Sequence, residues 1–265
     1  MHEPVEAAPG IFVLPTFLNV PGVGYLPVNS FVILSEEPVL VDTGIGIEQD
    51  AFVKALKSVI DPSELKWIWL THDDADHTGS VQRIMELAPK AKLATHALSA
   101  FRMILWCPLD LHRVHALTLG DRIDAGDRKL TAFRPPLFDN PLSTGIHDEK
   151  SGTVFSVDAF GAILAREETD LAKLEEKEVQ QGMSMWETFD CPWVHLVDRE
   201  KFGKSLEAVR SMKPSMILSG HLPMARNKTD LLLKVASGLP SLPPFVAPNQ
   251  EAFSQMVSAI LSSQR

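Results

Sequence analysis

Two packed β-sheets with helices on their outer faces, an α/β architecture, are predicted by three observations. Strand-like and helix-like segments alternate in two βα-rich halves, and each half contains hairpins. No shift of composition divides the 265 residues, so a single domain over residues 1–265 is expected. Residues 11–34 interleave apolar runs with Pro and Gly, which predicts short strands and loops. Residues 38–44 read as a buried strand ending in a polar turn. Ala51, Phe52, Ala55, Leu56 and Val59 then recur at helical spacing until Asp61-Pro62 stops the helix. A strand over 65–70 precedes a helix over 80–87, a strand over 91–95 and a helix over 98–106. Hairpins turn at Ala125-Gly126 and around 148–152, the second feeding a strand over 153–158. The charged stretch 166–181 predicts an exposed helix, and 205–212 another. Residues 216–221 form a strand ending on a Gly-His turn. Helices near 228–235 and 252–261 flank a Pro-rich connector over 239–248.

The net charge is −9, and no Lys/Arg cluster interrupts the acidic balance. Charge repulsion argues against nucleic acid and anionic membrane surfaces as partners. No apolar run approaches the roughly 20 residues that span a bilayer. Met1-His2-Glu3-Pro4 lacks the basic-then-apolar pattern of a secretory leader. Cys107 and Cys191, each followed by Pro, suggest small buried hydrophobes rather than a disulfide framework, which fits a cytoplasmic location.

The most informative stretch is Thr71-His72-Asp73-Asp74-Ala75-Asp76-His77-Thr78-Gly79. It sets two imidazoles and three carboxylates in six consecutive positions, directly after an apolar strand. Such crowding is relieved by cations, and a mixed carboxylate–imidazole set suits first-row transition metals.

His72-x-Asp74-x-Asp76-His77 resembles the His-x-His-x-Asp-His signature of the metallo-β-lactamase superfamily. Leu40-Val41-Asp42-Thr43-Gly44 resembles its upstream Asp-Thr-Gly turn, and Ser219-Gly220-His221 its final histidine. The sequence is more similar still to the diiron domain of flavodiiron proteins, through Arg134-Pro135-Pro136-Leu137-Phe138-Asp139-Asn140-Pro141 and Val154-Phe155-Ser156-Val157-Asp158-Ala159-Phe160-Gly161. The resemblance runs from about Ile11 to Pro223 and implies a four-layer αββα metallo-β-lactamase fold with a binuclear site. It implies His72, Asp74 and Asp139 on one metal, Asp76, His77 and His221 on the other, and Asp158 bridging. Asp139 stands where the family has His, and Asp74 where it has Glu. Asp42 is expected to shape the turn or to stand behind a ligand.

Four carboxylates balance two divalent ions in formal charge. This oxygen-rich set shifts preference away from Zn and toward Fe or Mn, and together with the flavodiiron-like blocks it favours Fe. A metal pair of this kind lowers the pKa of bound water from about 15.7 to about 7 and opens hydrolysis of an ester, lactone, thioester or phosphodiester. The flavodiiron resemblance implies instead binding or reduction of O₂ or NO, a diatomic-gas ligand. Non-catalytic O₂ sensing is a third reading. No Gly/Ser/Thr-rich phosphate loop follows a strand, so FMN is not expected in this chain and an external electron donor is. The family's head-to-tail homodimer is a partner arrangement to consider, although without a flavin its rationale is absent. Tyr25, in the early loop 21–25, is a candidate hydrogen-bond donor to a metal-bound ligand. Met183, Met185, Trp186, Phe189 and Trp193 either roof the metals or pack their helix onto the core. His96, His112, His115, His147 and His195 show no ligand spacing and read as surface or packed residues.

Overall fold

A computed structural model describes residues 1–263. Its first sheet grows in chain order. β1 (Val5–Ala8), β2 (Ile11–Val20), β3 (Gly24–Ile33) and β4 (Val39–Val41) pair antiparallel; β5 (Trp67–Trp69), β6 (Lys92–His96) and β7 (Val114–Leu117) continue in parallel. The second sheet contains β8 (Arg122–Asp124), β9 (Lys129–Phe133), β10 (Gly145–Asp148), β11 (Thr153–Phe155), β12 (Met216–Leu218) and β13 (Ala225–Arg226). They lie in the order β13-β12-β11-β10-β9-β8, with β11 and β12 parallel.

Side-chain alternation along each strand produces the layers. Phe31, Ile33, Val39, Val41 and Trp69 face Ile123, Leu130, Ile146, Phe155 and Leu218 to form the core between the sheets. The intervening Val32, Leu40 and Ile68 face outward onto α1 (Gln49–Val59), α3 (Val81–Leu87) and α4 (Ala97–Met103), through Phe52, Leu56, Ile84 and Met103. On the second sheet, Val154 and Ile217 meet α5 (Glu176–Asp190), α6 (Arg199–Ser211) and α7 (Thr229–Gly238). The protein thus has two mixed sheets flanked by helices, the αββα arrangement. The short α2 (Ala75–Thr78) lies in the ligand-rich loop, and α8 (Gln250–Ser263) closes the described chain.

Three elements depart from the sequence expectation. Residues 11–34 form one long hairpin of two ten-residue strands rather than short strands and loops. Its prolines are tolerated because each turns its missing N–H away from the other strand. Pro15 presents its carbonyl to the His2 amide at 2.9 Å, and Pro27 presents its carbonyl to His221. The helix expected over 166–181 begins only at Glu176 and runs on to Asp190. The preceding segment instead bonds to residue 224, with Met224 N donating to Thr169 O at 2.9 Å and Leu171 N to Met224 O at 3.1 Å. Glu178 then starts α5 by accepting from the Glu175 amide at 2.9 Å. Helix α6 begins earlier than 205 because Asp198 caps it, accepting from the Glu200 and Lys201 amides at 3.0 Å each.

The turns after β4 and β5 interlock at the C-terminal edge of the first sheet. Thr43 donates through its amide and its hydroxyl to His77 O, at 2.7 and 3.0 Å. Gly79 N donates to Gly44 O at 2.8 Å, and Ser80 N to Thr43 O at 3.1 Å. A Cβ on Gly79 would stand 2.1 Å from Gly46 N and 2.4 Å from Ile45 C, both backbone atoms. Gly79→Ala should therefore cost about 1–3 kcal/mol or more by forcing the two turns apart. A thermal melt with a metal assay would show a lowered Tm together with reduced metal content. Unchanged values of both would contradict this packing.

Candidate metal centre

Turns at the C-terminal ends of four strands supply the site. The turn after β4 brings Asp42, that after β5 His72 through His77, that after β11 Asp158, and that after β12 His221. The loop between β9 and β10 adds Asp139. Asp158 stands in the middle. Its Oδ1 lies 3.0 Å from His77 Nε2 and 3.1 Å from His221 Nε2, while its Oδ2 faces His72 Nε2 at 3.5 Å. Asp76 Oδ2 lies 3.4 Å from His221 Nε2 and 3.7 Å from His77 Nε2. Asp74 Oδ2 is 3.7 Å from His72 Nε2. Three overlapping groups result, with candidate ligand atoms of each within 4.8 Å: His72, His77, Asp158; Asp76, His77, His221; and His72, Asp74, Asp139.

Each imidazole has its other nitrogen tied outward. His77 Nδ1 donates to Asp42 Oδ2 at 2.9 Å, and His221 Nδ1 to the Pro27 carbonyl at 2.8 Å. His72 Nδ1 contacts Thr71 Oγ1 at 3.2 Å, and that hydroxyl donates to Asp42 Oδ2 at 2.9 Å. Such tethers set the tautomer so that all three Nε2 lone pairs turn inward. His77 Nε2 and both Asp158 oxygens are buried without a hydrogen-bond partner. Buried lone pairs converging in this way fit cations, and their chemistry fits a metal pair.

The neighbouring Asp73 leaves the cluster. It pairs with Arg102 Nε at 2.9 Å and accepts from Ser99 Oγ at 3.3 Å. Asn140 Nδ2 spans Asp73 Oδ1 and Asp74 Oδ1, at 3.1 and 2.9 Å. Asp139 lies at the rim; it caps its own turn through the Asn140 amide and also reaches the His72–Asp74 group. Tyr25 lies on strand β3 rather than in a loop. Its amide and carbonyl pair with Leu164 at 2.8 Å each, and its hydroxyl makes no hydrogen bond among the described residues. The α5 aromatics divide between the two expected roles. Met183 is core, and Met185 and Phe189 are half exposed. The Trp186 ring lies against His221 with centroids 4.7 Å apart, and Trp193 Nε1 donates to Phe138 O at 3.0 Å. Cys107 and Cys191 are free and buried. Of the other histidines, His96 caps α4 through the Leu98 amide and His115 edges the Trp67 ring.

Sequence reasoning gave no role to Thr71, Asn140 or the Pro27 carbonyl, whose bonds to Asp42, Asp74 and His221 join residues far apart in the chain. It also missed the buried Glu187 and the partly buried Asp190, whose i, i+3 spacing looks like any charged helix face.

Burial opposes charge on every group here, and neighbours decide the outcome. For His221, burial lowers the pKa, but a protonated Nε2 could donate to Asp158 Oδ1, and this with the charges of Asp158 and Asp76 lifts the pKa to about 9. His77 is likewise held well above its ordinary value by Asp158, Asp76 and Asp42 against burial. Burial prevails at His72, which is lowered. Asp158 is held well below its ordinary value against burial by His72, His77 and His221. Desolvation first, then the charge of Asp158, pushes Asp139 up to about 8 and Asp190 up to about 7.

With the geometry in view, the chain's relatives are recognisable. The family described as ODP family beta lactamase matches residues 26–221, and the chain belongs to it. The chain is 26% identical over 209 residues to a putative diflavin flavoprotein of Nostoc sp., covering 77% of this chain and 34% of that protein. It is 29% identical over 134 residues to the flavo-diiron protein FprA2 of Clostridium acetobutylicum, covering 50% of this chain and 34% of that one. A protein of Moorella thermoacetica named nitric oxide reductase is 27% identical over 183 residues, or 62% of this chain and 44% of that one. Matches thus span about a third to under a half of these relatives' lengths. Among solved structures, the flavodiiron protein of Giardia intestinalis superposes with TM-score 0.79 at 16% identity, covering 91% of this chain and 60% of that one. Rubredoxin oxygen:oxidoreductase of Desulfovibrio gigas superposes with TM-score 0.76, also at 16% identity, covering 90% and 61%. These likenesses establish the metallo-β-lactamase fold.

Two predictions follow from the tethers and the charges. Asp42→Asn should weaken metal affinity by about 10–100-fold, because Asn cannot accept equally from His77 Nδ1 and Thr71. Competition with a chelator would measure this, and unchanged affinity would contradict it. A histidine whose folded pKa exceeds its unfolded value of 6.5 stabilises fully below that value, and the contribution is lost as the pH rises through about 9. Asp139 and Asp190, whose folded pKa values are also raised, lose stabilisation in the same direction as they ionise. Protein stripped with a chelator should therefore melt at falling temperature between about pH 6.5 and 9, while metal-loaded protein keeps a flatter profile. A rise over that window in stripped protein would refute the assignment.

Proposed function

We propose that this chain is a flavodiiron-type domain over its whole length, one that holds two iron ions and binds or reduces O₂ or NO. In this reading His72, Asp74 and Asp139 hold one ion, Asp76, His77 and His221 the other, and Asp158 joins them. The observation that carries it is the convergence of three outward-tethered imidazoles on the two unpartnered oxygens of buried Asp158. Four carboxylates make the set harder than a histidine-rich one, which favours iron over zinc. Iron there supplies binding of a diatomic gas and electron transfer, with electrons arriving from a separate donor.

The chain's own residues prepare that chemistry. Asp42, Thr71 and the Pro27 carbonyl orient the imidazoles, and Asn140 holds the shorter Asp74 toward His72. The Trp186 indole covers the His221 side and excludes water there. The relatives named nitric oxide reductase and rubredoxin oxygen:oxidoreductase support a redox role.

Elemental analysis of protein purified without chelator should find a pair of irons per chain. The ferrous form, prepared anaerobically, should change its absorbance on exposure to O₂. Zinc or manganese in place of iron, no response to O₂, and turnover of esters or phosphodiesters would overturn this reading in favour of a hydrolase.

A further inference from the structure

At the C-terminal end of α5, Glu187, Asp190 and Cys191 form a further cluster, each contributing one ligand-type atom within 4.8 Å of the others. None of the three belongs to the groups around Asp158. Helical spacing explains the convergence, since residues three and four apart share a face. Trp186, which lies against His221, is one turn before Asp190, so this cluster adjoins the larger site without sharing a residue with it.

The cluster is more than an acidic patch. Glu187 is fully buried, and neither of its carboxylate oxygens has a hydrogen-bond partner. The Phe160 and Gly161 amides face this carboxyl and offset part of the burial that holds it well above its ordinary pKa, but neither completes a hydrogen bond to it, and the Gly161 amide is given to Asp158 O at 2.9 Å. No Lys, Arg or His forms an ion pair with Glu187 or Asp190 among the described residues. Cys191 is also fully buried, and its Sγ lies 3.8 Å from Asp190 Oδ2. A buried carboxyl left without a partner is costly whether or not it carries a proton, because either form needs a donor or an acceptor. A cation held by one sulfur and two oxygens removes that cost at all three groups.

We propose that Glu187, Asp190 and Cys191 form a third, mononuclear metal site that takes a borderline divalent cation of the zinc type. Zinc is bound by thiolate and carboxylate together, and three protein ligands leave a tetrahedral ion one open position. Binding displaces the Cys191 thiol proton and any carboxyl protons, so the cation replaces protons rather than adding charge to an already neutral pocket. Asp190 is the partly exposed member and provides the entry path.

Cobalt(II) is the probe, because a thiolate bound to it gives an intense near-ultraviolet charge-transfer band that imidazole and carboxylate do not. The binuclear group contains no sulfur, so the band reports on this cluster and leaves the diiron reading untouched either way. Full-length chain, stripped by chelation and titrated with cobalt(II), should develop the band while taking up one equivalent beyond the binuclear pair. Cys107→Ser should keep the band; Cys191→Ser should lose it along with that equivalent. Glu187→Gln, which preserves shape, should weaken the same step at least tenfold and serves if Cys191→Ser does not fold. Absence of the band in the unaltered chain, or its loss in Cys107→Ser instead, overturns the proposal.

Discussion

A buried carboxylate, Asp158, facing three buried imidazoles is the contact on which the architecture turns. Asp158 and His221 arrive from the second sheet, His72, Asp76 and His77 from the first. The group is therefore a polar clasp at the edge of an otherwise apolar interface formed by Phe31, Trp69, Ile146 and Phe155. Charges taken out of water gain net stability only when their geometry and remaining hydrogen bonds are good. That demand explains why so much surrounding backbone is committed to holding these few side chains.

The commitment shows in the dihedral angles. Asp42, Val157 and Phe160 adopt φ of 57°, 58° and 71°, a region non-glycine residues avoid and a β-branched residue avoids most. Each such residue costs on the order of 1–3 kcal/mol. Asp42 spends its strain on aiming one carboxylate at Thr71 and His77 together. Val157 accepts from Gly220 N at 2.7 Å and from Ser219 Oγ at 3.0 Å through its carbonyl, which locks the turn carrying Asp158 to the turn carrying His221.

The sequence made the inner constellation legible because its members carry short-range signals. The crowded run 72–77 and its resemblance to the superfamily signature grouped His72 with Asp74, and the Asp-Thr-Gly and Ser-Gly-His turns marked two further strand ends. The segments that spacing marked as α1, β5, α3, β6 and β12 also appear where it put them. Contacts between residues far apart in the chain were opaque. Pro27 and His221 are separated by 194 positions, and nothing near either announces the other. The helix over 166–181 was misplaced because local charge pattern resembles an exposed helix, whereas the backbone there is drawn away by Met224. Glu187 carries no local signal of its full burial, since only tertiary packing decides which side of α5 faces inward.

The three imidazoles differ in what a mutation can take from them. His77 depends on the Asp42 side chain, and His72 on a relay through Thr71, so one nucleotide change can release either. His221 leans on a main-chain carbonyl, which every residue type at position 27 would supply. Genetic drift can thus erode one flank of this pocket through its supporting residues while the other flank fails only by loss of the histidine itself or by movement of the hairpin. Variation among descendants of this chain should accumulate unevenly around the pocket for that reason, and the flank held by side chains is where new chemistry has most freedom to arise.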